Sequence, residues 1–249
     1  MSSPLQHVPQ FTFEIVDQLR RATQIEEIYA QLKSCGRTFG YDAFLMGQLP
    51  QSPAQNLRDC AMLSGWPAAW EQRYQERRFV HIDPVIRQIR HSIDPFLWRE
   101  ALAASGRREG RIVLDEARAF GLAEGFCVPL HHADGSESGV SFGGERLAPS
   151  DDERAALHLI GVYALSAARA ILRRTADAGD GASTATQLTG REIECLKWSA
   201  AGKTAWEISM ILSISRRTVE QYLAGAARKL NAVSRVQSVA EALRRGIID

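Results

Sequence analysis

Apolar residues recur along this chain with two periods. Residues 24–39 carry Ile25, Ile28, Leu32 and Cys35 on one stripe, a helical spacing, and residues 12–20 show a similar pattern. Tyr41–Gly47 is a short aromatic and apolar run that predicts a strand. Short helices are predicted over 67–77, 84–91 and 110–121. Gly125–His131 and Gly139–Gly143 read as two strands around the turn Asp134-Gly135. Ser150 and Glu153 form a capping box, and a long helix is expected after them, with Leu157, Ile160, Ala164, Ala168 and Ile171 on one face. This order predicts a small, mainly antiparallel sheet covered by helices on both faces.

Residues 173–187 follow neither period. They are small and polar, include Gly179 and Gly181, and read as a flexible connector. Beyond them four short helices are expected. Thr189 with Glu192, Thr204 with Glu207, and Ser234 with Gln237 have the spacing of capping boxes. Gly202 stands where the first of these helices needs a left-handed residue. Ser215 opens a further helix with Val219, Leu223, Ala226 and Leu230 inward. The expected organisation is a sheet-and-helix domain over 1–174, a linker over 175–187 and an all-α four-helix domain over 188–249, an α+β chain overall.

Charge separates the same two parts. The net charge is +1, but residues 182–249 hold ten Lys/Arg against six Asp/Glu, while all six histidines lie earlier. A basic tail on a near-neutral body points to a polyanion at the tail. Thr204–Leu212, the turn Ser213-Ile214 and the helix from Ser215 have the helix-turn-helix arrangement, although any small helical bundle shares that pattern. Opposite the apolar stripe of the third helix lie Arg217, Glu220, Gln221, Ala224 and Arg228, with Arg216 at its start. Arg suits guanine, Gln adenine, and Glu the amino group of cytosine. Lys203, before the second helix, suits a phosphate.

The residues from Leu188 to Gly246 closely resemble the LuxR-type helix-turn-helix domain. The match runs through Leu188-Thr189, Arg191-Glu192, Leu196, Gly202-Lys203-Thr204, Glu207-Ile208, Leu212, Ile214-Ser215, Thr218-Val219, Lys229-Leu230 and Gln237. It implies DNA contact through Lys203, Thr204, Arg216, Arg217, Thr218, Glu220, Gln221, Ala224 and Arg228. Where the family has a His followed by Asn-Ala, this chain has Tyr222 and Gly225-Ala226. Gly225 inside the recognition helix is expected to weaken it by about 1 kcal/mol relative to Ala.

In the front part, three of the five tryptophans fall within 33 residues, Trp66, Trp70 and Trp98. Trp70 and Tyr74 would share one face of a helix, as core aromatics do. Asp83 has two readings: a cap for the helix that begins at Pro84, or a polar group turned to a ligand. The spacing of Trp70, Tyr74 and Asp83-Pro84, followed by Pro95-Phe96-Leu97-Trp98, resembles the acyl-homoserine-lactone-binding domain of quorum-sensing LuxR-type regulators. Gly121–Gly125, the run through Pro129-Leu130, and Ser141 continue the match.

That resemblance implies an α/β/α sandwich enclosing an acyl-homoserine lactone. Trp70 would donate to the lactone carbonyl and Asp83 would accept the ligand amide N–H. Tyr74 and Trp98 would pack on the acyl chain and ring. Trp66 replaces a common Tyr, which favours short, branched or aryl acyl groups. Ser141 would add a donor, and Leu122 and Cys127 would belong to the pocket. The implied protein is a cytoplasmic quorum-sensing transcription regulator that binds promoter DNA as a homodimer, with RNA polymerase as a further partner. No catalytic residue, metal or cofactor is expected.

Two rivals are weaker. A phosphorylation-driven response regulator would need a parallel five-stranded receiver domain, whereas the first fifty residues open with two helices. A lactone hydrolase would need a metal or nucleophile motif. His131-His132, on a strand, would point to opposite faces, and no G-x-S-x-G elbow is present. The four cysteines are scattered, with no metal-type pair, and read as reduced thiols. No apolar run reaches the about 18 residues of a membrane span, and the N-terminus lacks a signal-like pattern.

Overall fold

Helical periodicity at the start of the chain produces α1 (His7–Arg21) and α2 (Ile25–Phe39), the latter ended by Gly40 in the left-handed conformation. In this computed structural model, residues 7–52, 54–106, 108–132, 134–179 and 188–248 are described. They divide into two units, one of Met1–His132 with Ser136–Asp177, the other mainly Ala178–Asp249.

The first unit is built on a five-stranded sheet. Its strands are β1 (Ala43–Gln48), β2 (Ala61–Ser64), β3 (Phe96–Leu97), β4 (Glu124–His131) and β5 (Glu137–Gly144), in the order β2-β1-β5-β4-β3 and antiparallel throughout. Between the strands lie α3 (Leu57–Cys60), α4 (Ala68–Glu76), α5 (Pro84–Ile89), α6 (Trp98–Ser105) and α7 (Arg108–Arg118). After β5 comes α8 (Asp151–Gly179). The short β2, β3, α3 and α6 have no expectation from the pattern. β3 is two residues long, too short to show a period.

Alternation along the strands sorts side chains onto two faces. Phe44, Met46, Phe126, Val128, Val140 and Phe142 pack with α1, α2 and α8 residues such as Leu19, Leu32, Leu157 and Ile160. Ala43 and Cys127 belong to a separate cluster with Trp70, Tyr74, Ile86, Trp98 and Val113 from α4 to α7. Helices therefore cover both faces of one sheet, the expected sandwich.

By length and composition Asp151–Thr175 holds an 18-residue window apolar enough for a membrane span, with mean hydropathy 1.6. Small residues such as Ala164 and Ala168 raise its hydropathy without forming a run of large ones. Its stripe Leu157, Ile160, Ala164, Leu165, Ala168 and Ile171 is buried in the core. The helix also continues to Gly179, through the first residues expected as linker. Residues 180–187 of that linker lie outside the described residues.

The second unit has four helices, α9 (Gly190–Ala200), α10 (Ala205–Leu212), α11 (Arg216–Leu230) and α12 (Arg235–Arg244). Thr189 and Thr204 form full capping boxes with Glu192 and Glu207. Ser234 accepts from the Gln237 N–H, but the Gln237 side chain takes the Val233 N–H at 2.9 Å, so that box is not closed. Gly202 has φ +78°, the left-handed stop expected of it.

Candidate functional site

A cavity of about 50 Å³ opens on the α4–α7 face of the sheet. Its existence follows from the strand sequences. On this face β1 offers Leu45 and Gly47, and β5 offers Gly139 and Ser141, where the opposite face carries Phe44, Met46, Val140 and Phe142. Small residues leave room that the helices do not fill.

The aromatic wall comes from α4 and the segment before it. Trp70 and Tyr74 are buried and cross edge-on, with centroids 5.7 Å apart. Trp66 lies 5.1 Å from Tyr74 and 6.0 Å from Trp70. Phe79 and Phe120 back the Trp70 ring. Among the described residues no protein acceptor takes the Trp70 indole N–H, which leaves it for an occupant of the cavity.

Asp83 caps a helix and also lines the cavity. It is the N-cap of α5, its Oδ1 accepting the Val85 N–H at 2.8 Å, with Pro84 at the first helical position. Its Oδ2 accepts the Tyr74 hydroxyl at 2.7 Å, and the residue lines the cavity. A second, more polar cavity borders Asp83 on its other side, so the residue is only half-buried by area. Its carboxyl is desolvated all the same. Burial raises its pKa above the usual carboxylate range, while the Tyr74 hydroxyl and the Val85 and Ile86 N–H groups offset part of the rise. Burial, with the neighbouring Asp83 charge, pushes the Tyr74 phenol well up.

Trp98, the first residue of α6, lies against Gly125 and Gly143, which face each other across β4 and β5. A Cβ on Gly125 would sit 2.0 Å from the Trp98 ring, and one on Gly143 2.6 Å. Only glycine admits an indole there. So placed, Trp98 donates from Nε1 to Ser141 Oγ at 2.9 Å. Cys127 lies opposite Ser141 in the ladder, and burial drives its thiol pKa up.

Of the eight residues read from the sequence, Trp66, Trp70, Tyr74, Asp83, Trp98 and Ser141 meet at the cavity. Leu122 and Cys127 do not line it; both are buried in the cluster behind it. Cys127 pairs with Ser141 across the ladder, and Trp98 with Ser141 closes the space in front of it. Sequence reasoning missed the apolar walls Leu45, Leu57, Ile86, Ile89, Val113 and Ala117. Their one signal was the run of small residues on alternate positions of β5, Gly139, Ser141 and Gly143.

His131 and His132 are engaged elsewhere. The first meets the Ile89 carbonyl at 2.7 Å and the second Ser138 Oγ at 2.9 Å. Among the described residues no three His, Cys, Asp or Glu side chains gather as a metal site would require.

In the second unit, α11 buries Val219, Ala226 and Leu230 and exposes Arg216, Arg217, Glu220, Gln221, Ala224 and Arg228. Thr218 and Lys203 are half-buried, and Thr204 is exposed. Arg216 Nε pairs with Glu220 Oε1 at 2.8 Å, whereas Arg217 and Arg228 make no ion pair among the described residues. Lys203 stands 3.8 Å from Glu207, whose carboxylate also receives the Thr204 N–H and hydroxyl.

Gly225 has a structural reason. A Cβ there would meet Glu192 Oε1 at 2.6 Å. Burial acts to raise the Glu192 pKa, but bonds from Lys229 and Thr189 outweigh it and hold the pKa low. Lys229 Nζ is 2.7 Å from Glu192 Oε2. The glycine admits this carboxylate beneath the helix.

Comparison with known proteins covers both units. The Autoinducer binding domain family matches residues 24–168, and the family of bacterial regulatory proteins named luxR matches residues 186–242. The chain is 38% identical to the HTH-type quorum sensing-dependent transcriptional regulator RpaR of Rhodopseudomonas palustris, over 94% of this chain and 93% of that protein. It is also 38% identical to the transcriptional activator protein BjaR1 of Bradyrhizobium diazoefficiens, over 85% of each. The crystal structure of Escherichia coli SdiA matches with TM-score 0.73 at 25% identity, over 96% of this chain and 98% of that one. SdiA in complex with octanoyl-rac-glycerol matches with TM-score 0.72.

Proposed function

This chain belongs to the luxR family of bacterial regulatory proteins and carries an autoinducer binding domain, and on that premise we propose that it is a quorum-sensing transcription regulator governed by an N-acyl-homoserine lactone. The observation that carries the ligand class is the mixture of groups at the cavity. One carboxylate, one unpartnered indole N–H and one hydroxyl stand in an otherwise aromatic and aliphatic wall. An acyl-homoserine lactone is a polar, uncharged head on an apolar tail, and needs few placed donors and acceptors. Asp83 accepts the amide N–H, since each of its oxygens keeps a lone pair after bonding Tyr74 and Val85. Trp70 donates to the lactone carbonyl, Ser141 is a further polar contact, and Tyr74 and Trp98 pack on the ligand. The acyl group is short, branched or aryl. Catalysis has no part in this reading, which binds and releases the lactone intact.

Promoter DNA is read by α11. Arg217, Glu220, Gln221, Ala224 and Arg228 face outward at helical spacing, with Arg216 and Thr218 at the N-terminal end that enters the groove. Lys203 and Thr204 hold the backbone at the start of α10. The protein acts as a homodimer in the cytoplasm, and RNA polymerase is the partner it would meet at a promoter. Supporting the dimer, Leu172 on α8 and Val236 and Leu243 on α12 are exposed apolar side chains. A monomer in sedimentation at micromolar concentration, with lactone and DNA present, would contradict it. We also propose domains over 1–174 and 188–249 with the linker at 175–187, so limited proteolysis should cut in that linker.

The ligand assignment is tested by expressing the full chain in a lactone-producing host and identifying copurifying small molecules by mass spectrometry. A neutral acyl-homoserine lactone is expected at one per chain. A carboxylic acid or a nucleotide in its place would overturn the assignment.

A further inference from the structure

We propose that the polar cavity on the other side of Asp83 is a second binding site, suited to a small phosphorylated metabolite. It holds about 390 Å³, the size of a small-molecule site, and shares Asp83 and Ile86 with the first cavity. Its polar side chains are mostly donors. Arg87 comes from α5, Arg90 and His91 from the two residues that follow it, and His81 from the turn before it. Gln51 and Ser52 face them from the segment after β1. Asp83 is the one carboxylate among the lining residues, and its two oxygens are engaged by the Val85 N–H and the Tyr74 hydroxyl. Val80 and Ile86 add apolar surface.

The two arginines differ in what they already hold. Arg90 builds the wall: its Nη2 donates to the Pro50 carbonyl at 2.8 Å and its Nε lies 3.4 Å from Glu137 of β5, which ties the segment after β1 to the end of α5. Gln55 orders that segment further, its Oε1 accepting the Gln51 N–H at 2.8 Å and the Ser52 N–H at 3.2 Å. Arg87 has no such duty. Asp83 stands four residues before it, the spacing of a helical ion pair, yet the two form none, and no other group among the described residues takes the Arg87 guanidinium. The His91 ring is likewise without a hydrogen bond among the described residues, and His81 Nε2 stands 3.5 Å from Arg78 Nη2, a further cation at the rim. A guanidinium presents a planar fork that matches two oxygens of a phosphate or a carboxylate. A phosphate monoester has a third terminal oxygen, and here donors from separate segments, the histidines and Ser52, stand around the same space to meet it.

The test titrates the full chain with inorganic phosphate and with succinate by calorimetry, in chloride buffer at constant ionic strength. Saturable binding of phosphate is expected, tighter than that of succinate. Arg87→Ala should weaken it by at least about tenfold, the loss of a charge-assisted hydrogen bond. His91→Ala should weaken it less. Arg99→Ala, which removes an exposed arginine of α6 outside the cavity, should leave it unchanged. Should Arg87→Ala not fold, Arg87→Gln, which keeps the length and removes the charge, decides in its place. Phosphate binding that persists undiminished without the Arg87 guanidinium lies elsewhere on the chain and overturns the site, as does the absence of saturable binding at millimolar phosphate. Tighter binding of succinate overturns the ligand class.

Discussion

The two faces of the central sheet are made by the same strands and do opposite things. Toward α1, α2 and α8, β1, β4 and β5 turn Phe44, Met46, Phe126, Val128, Val140 and Phe142, and the space is filled. Toward α4 to α7 the intervening positions are Leu45, Gly47, Gly125, Cys127, Gly139, Ser141 and Gly143, and a cavity remains. One face stores stability. The other gives up packing, and where it is tightest its glycines admit an indole instead of a neighbour's side chain. A binding site here is the product of residues too small to close a core.

Two adjacent residues separate the faces most strongly. Phe142→Ala, on the filled face, should cost about 3–5 kcal/mol of folding stability. Ser141→Ala, on the open face, should cost about 1 kcal/mol, the loss of one hydrogen bond from Trp98. Chemical denaturation of both variants checks this; equal losses would mean that the open face contributes as much to stability as the closed one.

A second prediction concerns the charge on the open face. Asp83→Asn should weaken lactone binding by about 1–3 kcal/mol, as a charge-assisted hydrogen bond in a dry site is lost. If Asp83 served only as a helix cap, stability would fall and affinity would hold. The sign of the pH dependence follows from burial. With its pKa raised, Asp83 holds more protons folded than unfolded, so the empty protein loses stability as pH rises from the usual carboxylate range through the raised value. Lactone affinity should move the other way and fall as pH drops through that value, because the ligand is neutral and the ionised carboxylate is the acceptor. A binding titration across the acid range that stayed flat would contradict it.

The outward surface of α11, proposed to meet DNA, differs from both sheet faces, since its groups are exposed and already paired only in part. Arg217→Ala or Gln221→Ala should cost about 1–3 kcal/mol on the cognate site and relax preference at one base pair. Lys203→Ala should weaken all DNA alike and reduce the salt slope by up to about one unit, since Glu207 shares its charge. Salt titrations on operator and scrambled duplexes separate the two classes, and exchanged behaviour would remove α11 from the groove.

A smaller change distinguishes helix propensity from local packing. Propensity says that Gly225→Ala should stabilise α11 by about 1 kcal/mol. The approach of Glu192 says that it should not, because the new methyl displaces a carboxylate bound to Lys229. A loss of stability is expected, and it should disappear in a Glu192→Ala background. A gain in the otherwise unchanged protein would restore the propensity argument.

How much of this was legible follows from distance along the chain. The helical domain was read almost element by element, because its caps at Thr189, Thr204 and Ser215 and its short apolar stripes are local signals. Gly225 was legible only as an anomaly. Its partner Glu192 is over thirty residues away, and the pair exists only when α11 packs on α9. In the front unit the aromatic and acidic residues stood out, since Trp66, Trp70, Tyr74 and Asp83 lie close in sequence. The contact of Trp98 with Ser141 did not, being 43 residues apart and dependent on strand order. β2 and β3, short edge strands, carried too few residues for any period to show. Cys127 was expected at the pocket and lies behind it, because burial alone does not say which side of a partner residue faces the space.

The function proposed for the open face turns on the carboxylate of Asp83 receiving the amide hydrogen of a neutral acyl-homoserine lactone. The decisive titration uses the full chain with N-butanoyl-homoserine lactone and with the same compound methylated on its amide nitrogen, in the wild type and in Asp83→Asn. Methylation should weaken binding to the wild type by at least about tenfold, and the gap should narrow in Asp83→Asn, which already lacks the charge that N–H would meet. Equal binding of the two compounds to the wild type would contradict this role for Asp83.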